Sequence, residues 1–213
     1  MTGDTSDTTH TNTTHASLSI DFCNIRGLNS NFVSVEHHLA TSSPGLLLLS
    51  ECQLDASASP DLLKISNYNL FSNFRKKGGV CAYCNTDIPI ARLIELESPN
   101  YDLIWLKISL PVKTIFLSFL YFSPNARNHV ELFHYLTTCY ESLLTSHPNT
   151  EVLFLGDFNA HHTEWLGSPG TDPRGEEALS FSILNDLDQI IKHPTRVPDR
   201  HDQTSNILDL FFF

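Results

Sequence analysis

The chain has no apolar run long enough to span a membrane. Its longest, Leu46 to Leu49 and Ile115 to Leu120, have the length of buried strands. It also lacks an apolar core near its start. Met1 to His15 is rich in Thr with Ser, Asp and His, a composition that gives no secretion signal and reads as a disordered tail. Cations are scarce: 13 Lys and Arg stand against 24 Asp and Glu, for a formal charge of −11. That balance argues against a broadly polyanion-binding surface. It does not exclude a local one, because a site built to hold a divalent cation is acidic by construction and the ion inverts the field around it. A basic neighbour in a longer protein has the same effect.

Cysteine is sparse and odd in number: Cys23, Cys52, Cys81, Cys84 and Cys139. Without a secretion signal, this predicts free thiols in a reducing, intracellular compartment. Cys81 and Cys84 form a C-x-x-C, which raises zinc. The surrounding Gly79 to Cys84 reads as a strand, however, and residues three apart on a strand face opposite sides. The two are expected to be inert, not metal ligands.

What remains is a chain of 213 residues with 41% hydrophobic ones, enough for one sizeable core. No internal repeat is visible. Residues 1–15 are expected to be tail and 16–213 one domain. Leu18, Ile20 and Phe22 alternate, so Ser17 to Cys23 is expected to be a half-buried strand. Phe32, Val35 and Leu39 have helical spacing, and Leu46 to Ser50 reads as a buried strand. Further strands are expected at Leu70 to Phe74, Val80 to Tyr83, Ile88 to Leu93, Leu103 to Ile108 and Ile115 to Leu120. Val130, Phe133, Leu136, Tyr140 and Leu143 make one helical stripe that closes before Pro148-Asn149. Val152 to Leu155 reads as a strand, Glu176 to Leu187 as a helix, and Ile207 to Phe213 as a last strand. Many strands and few helices in this order predict an α/β fold, two packed sheets flanked by helices.

Polar residues recur at the C-terminal ends of the apolar strands, where rigid elements open onto loops. The first strand ends in Asn24-Ile25-Arg26-Gly27 and the next in Glu51. Later come Tyr121-Phe122-Ser123-Pro124-Asn125 and Gly156-Asp157-Phe158-Asn159-Ala160-His161-His162. Each has a plain reading. Asn24 fits a turn, Glu51 a solvated strand end, Tyr121 packing beside Pro124, and Asp157 with Asn159 ordinary turn chemistry. Together they supply what phosphodiester hydrolysis needs. One carboxylate holds a hard cation through oxygen, another handles a proton, and neutral donors bind the phosphate oxygens as charge builds.

This set resembles the endonuclease/exonuclease/phosphatase superfamily, and most closely the endonuclease domain of jockey-like non-LTR retrotransposons. The likeness is carried also by Asp157 to Trp165, Arg174-Gly175-Glu176, Pro194-Thr195-Arg196 and Ser205-Asn206-Ile207-Leu208-Asp209-Leu210. The resemblance implies a four-layer α/β sandwich of the DNase I-like type, with two mixed sheets. It implies Mg²⁺ as cofactor, with Mn²⁺ as a substitute, and double-stranded DNA as substrate. No membrane is implied. Action would be nuclear if on chromosomal DNA, with a reverse transcriptase domain in a longer polyprotein. By the same resemblance Glu51 and Asn24 hold the metal. Asp157, Asn159, Tyr121, Asn24 and Asp209 serve catalysis, Asp157 by orienting the nucleophile or by protonating the leaving oxygen. Arg26, Asn125, Thr195 and Arg196 meet DNA.

The family pattern also implies further strands and a Ser-Asp-His motif beyond Asp209. No histidine of this sequence has that context. The chain is therefore expected to be incomplete at its C-terminus, to leave an apolar sheet edge at Phe211-Phe212-Phe213, and to have little activity by itself. His161 and His162 are expected to be structural or substrate-proximal, and Arg200-His201-Asp202 an exposed turn. Two functions compete: a Mg²⁺-dependent nicking endonuclease, and an inactive truncated remnant with residual metal or DNA binding. Inositol-phosphate and sphingomyelin phosphodiesterases of the same superfamily are disfavoured by the loop after Asp157.

Overall fold

The computed structural model describes residues 18–196 and 205–213. The expected N-terminal tail and the Arg200-His201-Asp202 turn lie outside the described residues.

The first strand, β1 (Ile20–Asn24), lies parallel to β2 (Leu46–Ser50), and helix α1 (Leu28–Ser42) makes the crossover between them. β3 (Tyr68–Asn73) and β4 (Val80–Asn85) form an antiparallel hairpin. β4 also pairs with β2, giving the order β1-β2-β4-β3. The second sheet begins with β5 (Ile90–Arg92), β6 (Asp102–Ser109) and β7 (Thr114–Tyr121), all antiparallel neighbours. Helix α2 (His129–Ser146) then crosses over to β8 (Glu151–Asp157), which lies parallel to β7. After helix α3 (Pro173–Leu184) the chain returns as β9 (Asp209–Phe212), antiparallel to β8.

The period-2 alternation of the strands explains the layers. Leu46 and Leu48 face the second sheet, while Leu47 and Leu49 face α1. On β6, Ile104, Leu106 and Ile108 meet the first sheet, and Leu103 and Trp105 meet the helices. The same division holds on β7 and β8. The result is three apolar layers: α1 on the first sheet, sheet on sheet, and α2 with α3 on the second sheet. This is the four-layer α/β sandwich expected. Each fully buried Leu or Phe contributes about 1.5–3 kcal/mol. Exposed ion pairs such as Lys64–Asp61 at 2.6 Å are screened by solvent and contribute little. The apolar layers therefore dominate.

Cys81 lies in the layer against α1 and Cys84 in the layer between the sheets, so their side chains face opposite ways as expected. Several boundaries differ from the sequence expectation. β1 starts at Ile20, three residues later than expected, and β9 starts at Asp209, two later than the expected Ile207. α3 begins at Pro173, before the expected Glu176, because Asp172 caps it. The Asp172 carboxylate accepts from Gly175 N at 2.8 Å, and Pro173 occupies the first turn where its missing N–H costs nothing. The expected open edge at β9 is corrected. Asp188 and Phe213 exchange backbone bonds at 2.9 and 3.0 Å, and Ile190 N donates to Phe211 O at 3.0 Å, so the segment 188–190 covers the outer side of β9.

Candidate active site

Two pairs of parallel strands place the site. β1 and β2 end together, with Asn24 opposite Ser50, one residue before Glu51. β7 and β8 end together, with Tyr121 opposite Asp157, and antiparallel β9 begins with Asp209 opposite Asp157 on its other side. The sheets face one another, so these ends open onto one cleft of about 640 Å³. Asn24, Arg26, Glu51, Asp157, Asn159, Thr195, Arg196 and Asp209 are all on its wall.

At the centre Asn24 Nδ2 donates to Glu51 Oε1 at 2.8 Å and to Asp157 Oδ2 at 3.0 Å. One amide thus joins a carboxylate of each sheet. Its own Oδ1 is buried and accepts no hydrogen bond from the described residues. Gln53 Nε2 donates to the second oxygen of Glu51 at 3.1 Å. Asp157 is 4% exposed, and its Oδ1 accepts from Asn159 N at 3.2 Å. Burial, then the charge of Asp209, push the Asp157 carboxyl up to about 7, against the lowering effect of Asn24. Burial pushes Asp209 up to about 6 while its hydrogen bond with Thr195 pulls it down. Burial, with Glu51 and Asp157 nearby, raises the Tyr121 phenol to about 12, so it stays protonated.

The backbone here is unusual. Seven described non-glycine residues have positive φ. Four of them, Arg26, Glu51, Gln53 and Asn159, lie at or beside the cleft, with φ between 47° and 52°. Left-handed conformations cost such residues about 1–2 kcal/mol each. The surroundings enforce them: Gly27 N bonds Glu51 O at 2.8 Å, and Gln53 N bonds Gly78 O at 2.8 Å. Such strain gathers at functional sites.

Three supports were not read from the sequence. Asp102 accepts from Gly79 N at 2.8 Å and pairs with Arg75 Nε at 2.7 Å, fixing the β3–β4 turn. A Cβ on Gly78 would sit 2.3 Å from Asp102 Oδ2 and 2.9 Å from the Tyr121 ring, so only glycine lets that turn back Tyr121. Arg174 donates to Pro124 O, to Ala126 O at 2.7 Å and to Asn159 O at 3.4 Å, and lies 5.2 Å over the Phe122 ring. It ties the loop after β7 to the loop after β8.

The residues singled out from the sequence do not all converge equally. Asn125 is exposed and off the cleft wall, with its N–H on Ser123 Oγ at 3.4 Å. Tyr121 packs in the layer between the sheets, behind Glu51. The Thr195 hydroxyl accepts from Leu208 N and Asp209 N at 3.1 and 3.2 Å, so it holds the start of β9. His162 is buried, with Nδ1 accepting from Trp165 N at 3.2 Å, which is a structural position. His161 lines a second groove with Arg127 and His129. That groove joins the cleft at Pro124 and Asn159. Among the described residues, no histidine lines the cleft itself.

The cleft fits a hard divalent cation. Its donors are oxygens: Glu51 and the unpartnered, buried Asn24 Oδ1. No three His, Cys, Asp or Glu side chains among the described residues form a closed cage. An open site with one or two carboxylates suits Mg²⁺, which keeps several waters.

Comparison with known proteins agrees with this geometry. Residues 115–213 match the family described as endonuclease-reverse transcriptase. The fold is shared with solved nucleases of the DNase I-like type. The endonuclease domain of TRAS1, a telomere-specific non-LTR retrotransposon, superposes with a TM-score of 0.67 at 18% identity, covering 92% of this chain and 84% of that one. An AP endonuclease from Leishmania major gives 0.61 at 15%, over 91% and 78%. A 3′-5′ exonuclease from Neisseria meningitidis gives 0.62 at 19%, over 91% and 86%. No curated protein sequence gives a match. In fold and in this partial family match the chain is similar to a retrotransposon endonuclease domain.

Proposed function

We propose that the chain is a Mg²⁺-dependent DNA endonuclease domain that nicks a phosphodiester bond in duplex DNA, as in target-site cleavage by a non-LTR retrotransposon. The observation that carries this reading is the Asn24 amide bonded to both Glu51 and Asp157 in an open cleft. Glu51 and Asn24 Oδ1 would hold the cation, which would supply Lewis acidity toward the phosphate. Asp157, whose carboxyl is raised to about 7 in the metal-free cleft by burial and then by Asp209, is the group placed to exchange a proton with the attacking water or the leaving oxygen. The free hydrogen of the Asn159 amide is a neutral donor on the cleft wall, and the protonated Tyr121 phenol backs Glu51 from the layer between the sheets. Asp209 holds negative charge beside Asp157 and keeps its carboxyl protonated further up the pH scale.

Charge supports a polyanionic substrate despite the net −11. Arg75, Arg92, Lys64, Lys76 and Lys113 are paired with carboxylates. Arg26 and Arg196, on the cleft wall, and Arg127 in the adjoining groove have no ion pair among the described residues. Unneutralised cations therefore flank the acidic centre where a phosphate backbone would lie. A reverse transcriptase domain in a longer polyprotein is the partner that the family description favours.

A second reading, metal and DNA binding without turnover, is favoured by one observation: no described histidine lines the cleft. A nicking assay on supercoiled plasmid separates the two. Mg²⁺-dependent nicking lost in Glu51→Ala and Asp157→Ala supports the nuclease. Binding of Mn²⁺ and duplex DNA with no nicking supports the second reading. Nicking unaffected by either substitution sinks both.

A further inference from the structure

Strand β2 ends in a double reversal. Glu51 and Gln53 both have φ of 52°, and between them Cys52 is fully buried, with its thiol on Leu49 O at 3.4 Å. Cys52 N bonds Gly79 O at 3.1 Å, and Leu28 N bonds Cys52 O at 2.9 Å. Cys52 is thus anchored on both sides, and the two left-handed residues aim their side chains at one another on the cleft side. The Gln53 amide lies 3.1 Å from Glu51 Oε2, while Asn24 holds Oε1. Each carboxylate oxygen therefore carries one neutral amide donor. Neutral donors fix the rotation of a carboxylate without cancelling its charge, which a Lys or Arg in the same place would do. Asn24 also belongs to Asp157, and the Tyr121 phenol reaches Glu51 from the layer between the sheets, so Gln53 is the amide donor that serves Glu51 alone.

We infer that Gln53 is a positioning residue: it sets the plane of the Glu51 carboxylate for the divalent cation. This rests on the reading of Glu51 as the metal ligand. A carboxylate held at one oxygen turns about its last bond, and that rotation must be frozen each time a cation binds. Holding the second oxygen removes the penalty beforehand. Outer partners of metal ligands typically change affinity by about 10–100-fold.

The test is Mn²⁺ binding to the full chain, followed by the paramagnetic signal of free Mn²⁺, with Tm measured separately in chelator. Gln53→Met keeps the side-chain length and removes the donor, and Gln53→Ala removes both. Gln53 is exposed, so neither is expected to disturb folding. Both are expected to weaken Mn²⁺ binding about 10-fold or more at unchanged Tm in chelator. In the nuclease assay the same variants should raise the metal concentration at half-maximal rate and leave the rate at saturating metal nearly intact. Affinity within threefold of wild type overturns the assignment, and so does weakened binding that merely follows a lowered Tm. If Glu51→Ala binds Mn²⁺ as wild type does, the ligand reading itself fails. Wild-type binding lost in Glu51→Ala but kept in Gln53→Met leaves that reading standing and removes only Gln53.

Discussion

Asp157 and Asp209 stand opposite each other across the β8–β9 ladder, and only Asp157 is reached by the Asn24 amide. Two carboxyls held this close in a low-dielectric setting resist ionising together. The consequence is measurable without any substrate. The unfolded chain releases these protons near the ordinary Asp value, while the folded chain keeps them to about 7 and about 6. The folded state therefore binds more protons across that window, and stability falls as pH rises from about 4 to about 7. In chelator, Tm of wild type should drop more between pH 5 and pH 8 than Tm of Asp157→Asn, which has no proton to lose. Parallel curves would show that the pair is not strained.

Arg26, Arg196 and Arg127 should each act as a phosphate contact. Changing any one to Ala should weaken duplex binding for all sequences and lower the salt dependence, log K against log[salt], by roughly 1. Lys113, paired with Glu151 at 2.6 Å, is the control, and Lys113→Ala should leave the slope alone. Equal slopes for all four variants would remove the proposed phosphate track.

Arg174 should tolerate no replacement. Its donors reach three carbonyls on two loops, which a point-charge ammonium cannot span. Arg174→Ala should destabilise by about 2–4 kcal/mol in urea unfolding, from lost charge-assisted bonds and carbonyls left unpaired. Arg174→Lys should recover little of this. A near-neutral Arg174→Lys would mean that one contact suffices.

Cys23 is exposed, while Cys52, Cys81, Cys84 and Cys139 are buried. Burial and the nearby Asp209 also raise the Cys23 thiol. Native protein should show one accessible thiol in titration with an aromatic disulfide at alkaline pH, and five after denaturation. Stoichiometric zinc lost on Cys81→Ser would contradict the opposed faces of β4.

The sequence carried the layers well because β2, β6, β7 and β8 are buried on both faces and read as mostly apolar runs, broken only by Lys107 in β6 and Ser118 in β7. Boundaries of β1, β5 and β9 drifted, since pairing and not residue type decides where a half-buried strand stops. Asn24, Glu51, Tyr121 and Asp157 were legible as polar residues ending apolar strands. Gln53 was not, because its approach to Glu51 depends on two successive left-handed residues that no side-chain pattern announces. Nor were Asp102 and Arg174, whose partners are backbone groups of other loops. Asp172-Pro173 did carry a readable helix start, which the apolar spacing of α3 obscured.

The coverage of β9 by residues 188–190 changes where this molecule can recruit a foreign strand. A template for strand addition needs a free row of N–H and C=O groups, and β9 presents its outer row to its own chain. Among the described residues β1 pairs along one side only, with β2, and its Phe22 and Cys23 line the cleft. An extended segment that docked there would lie within reach of Asn24. Of the edges β1, β3 and β5, only recruitment at β1 would share a doorway with the reacting centre.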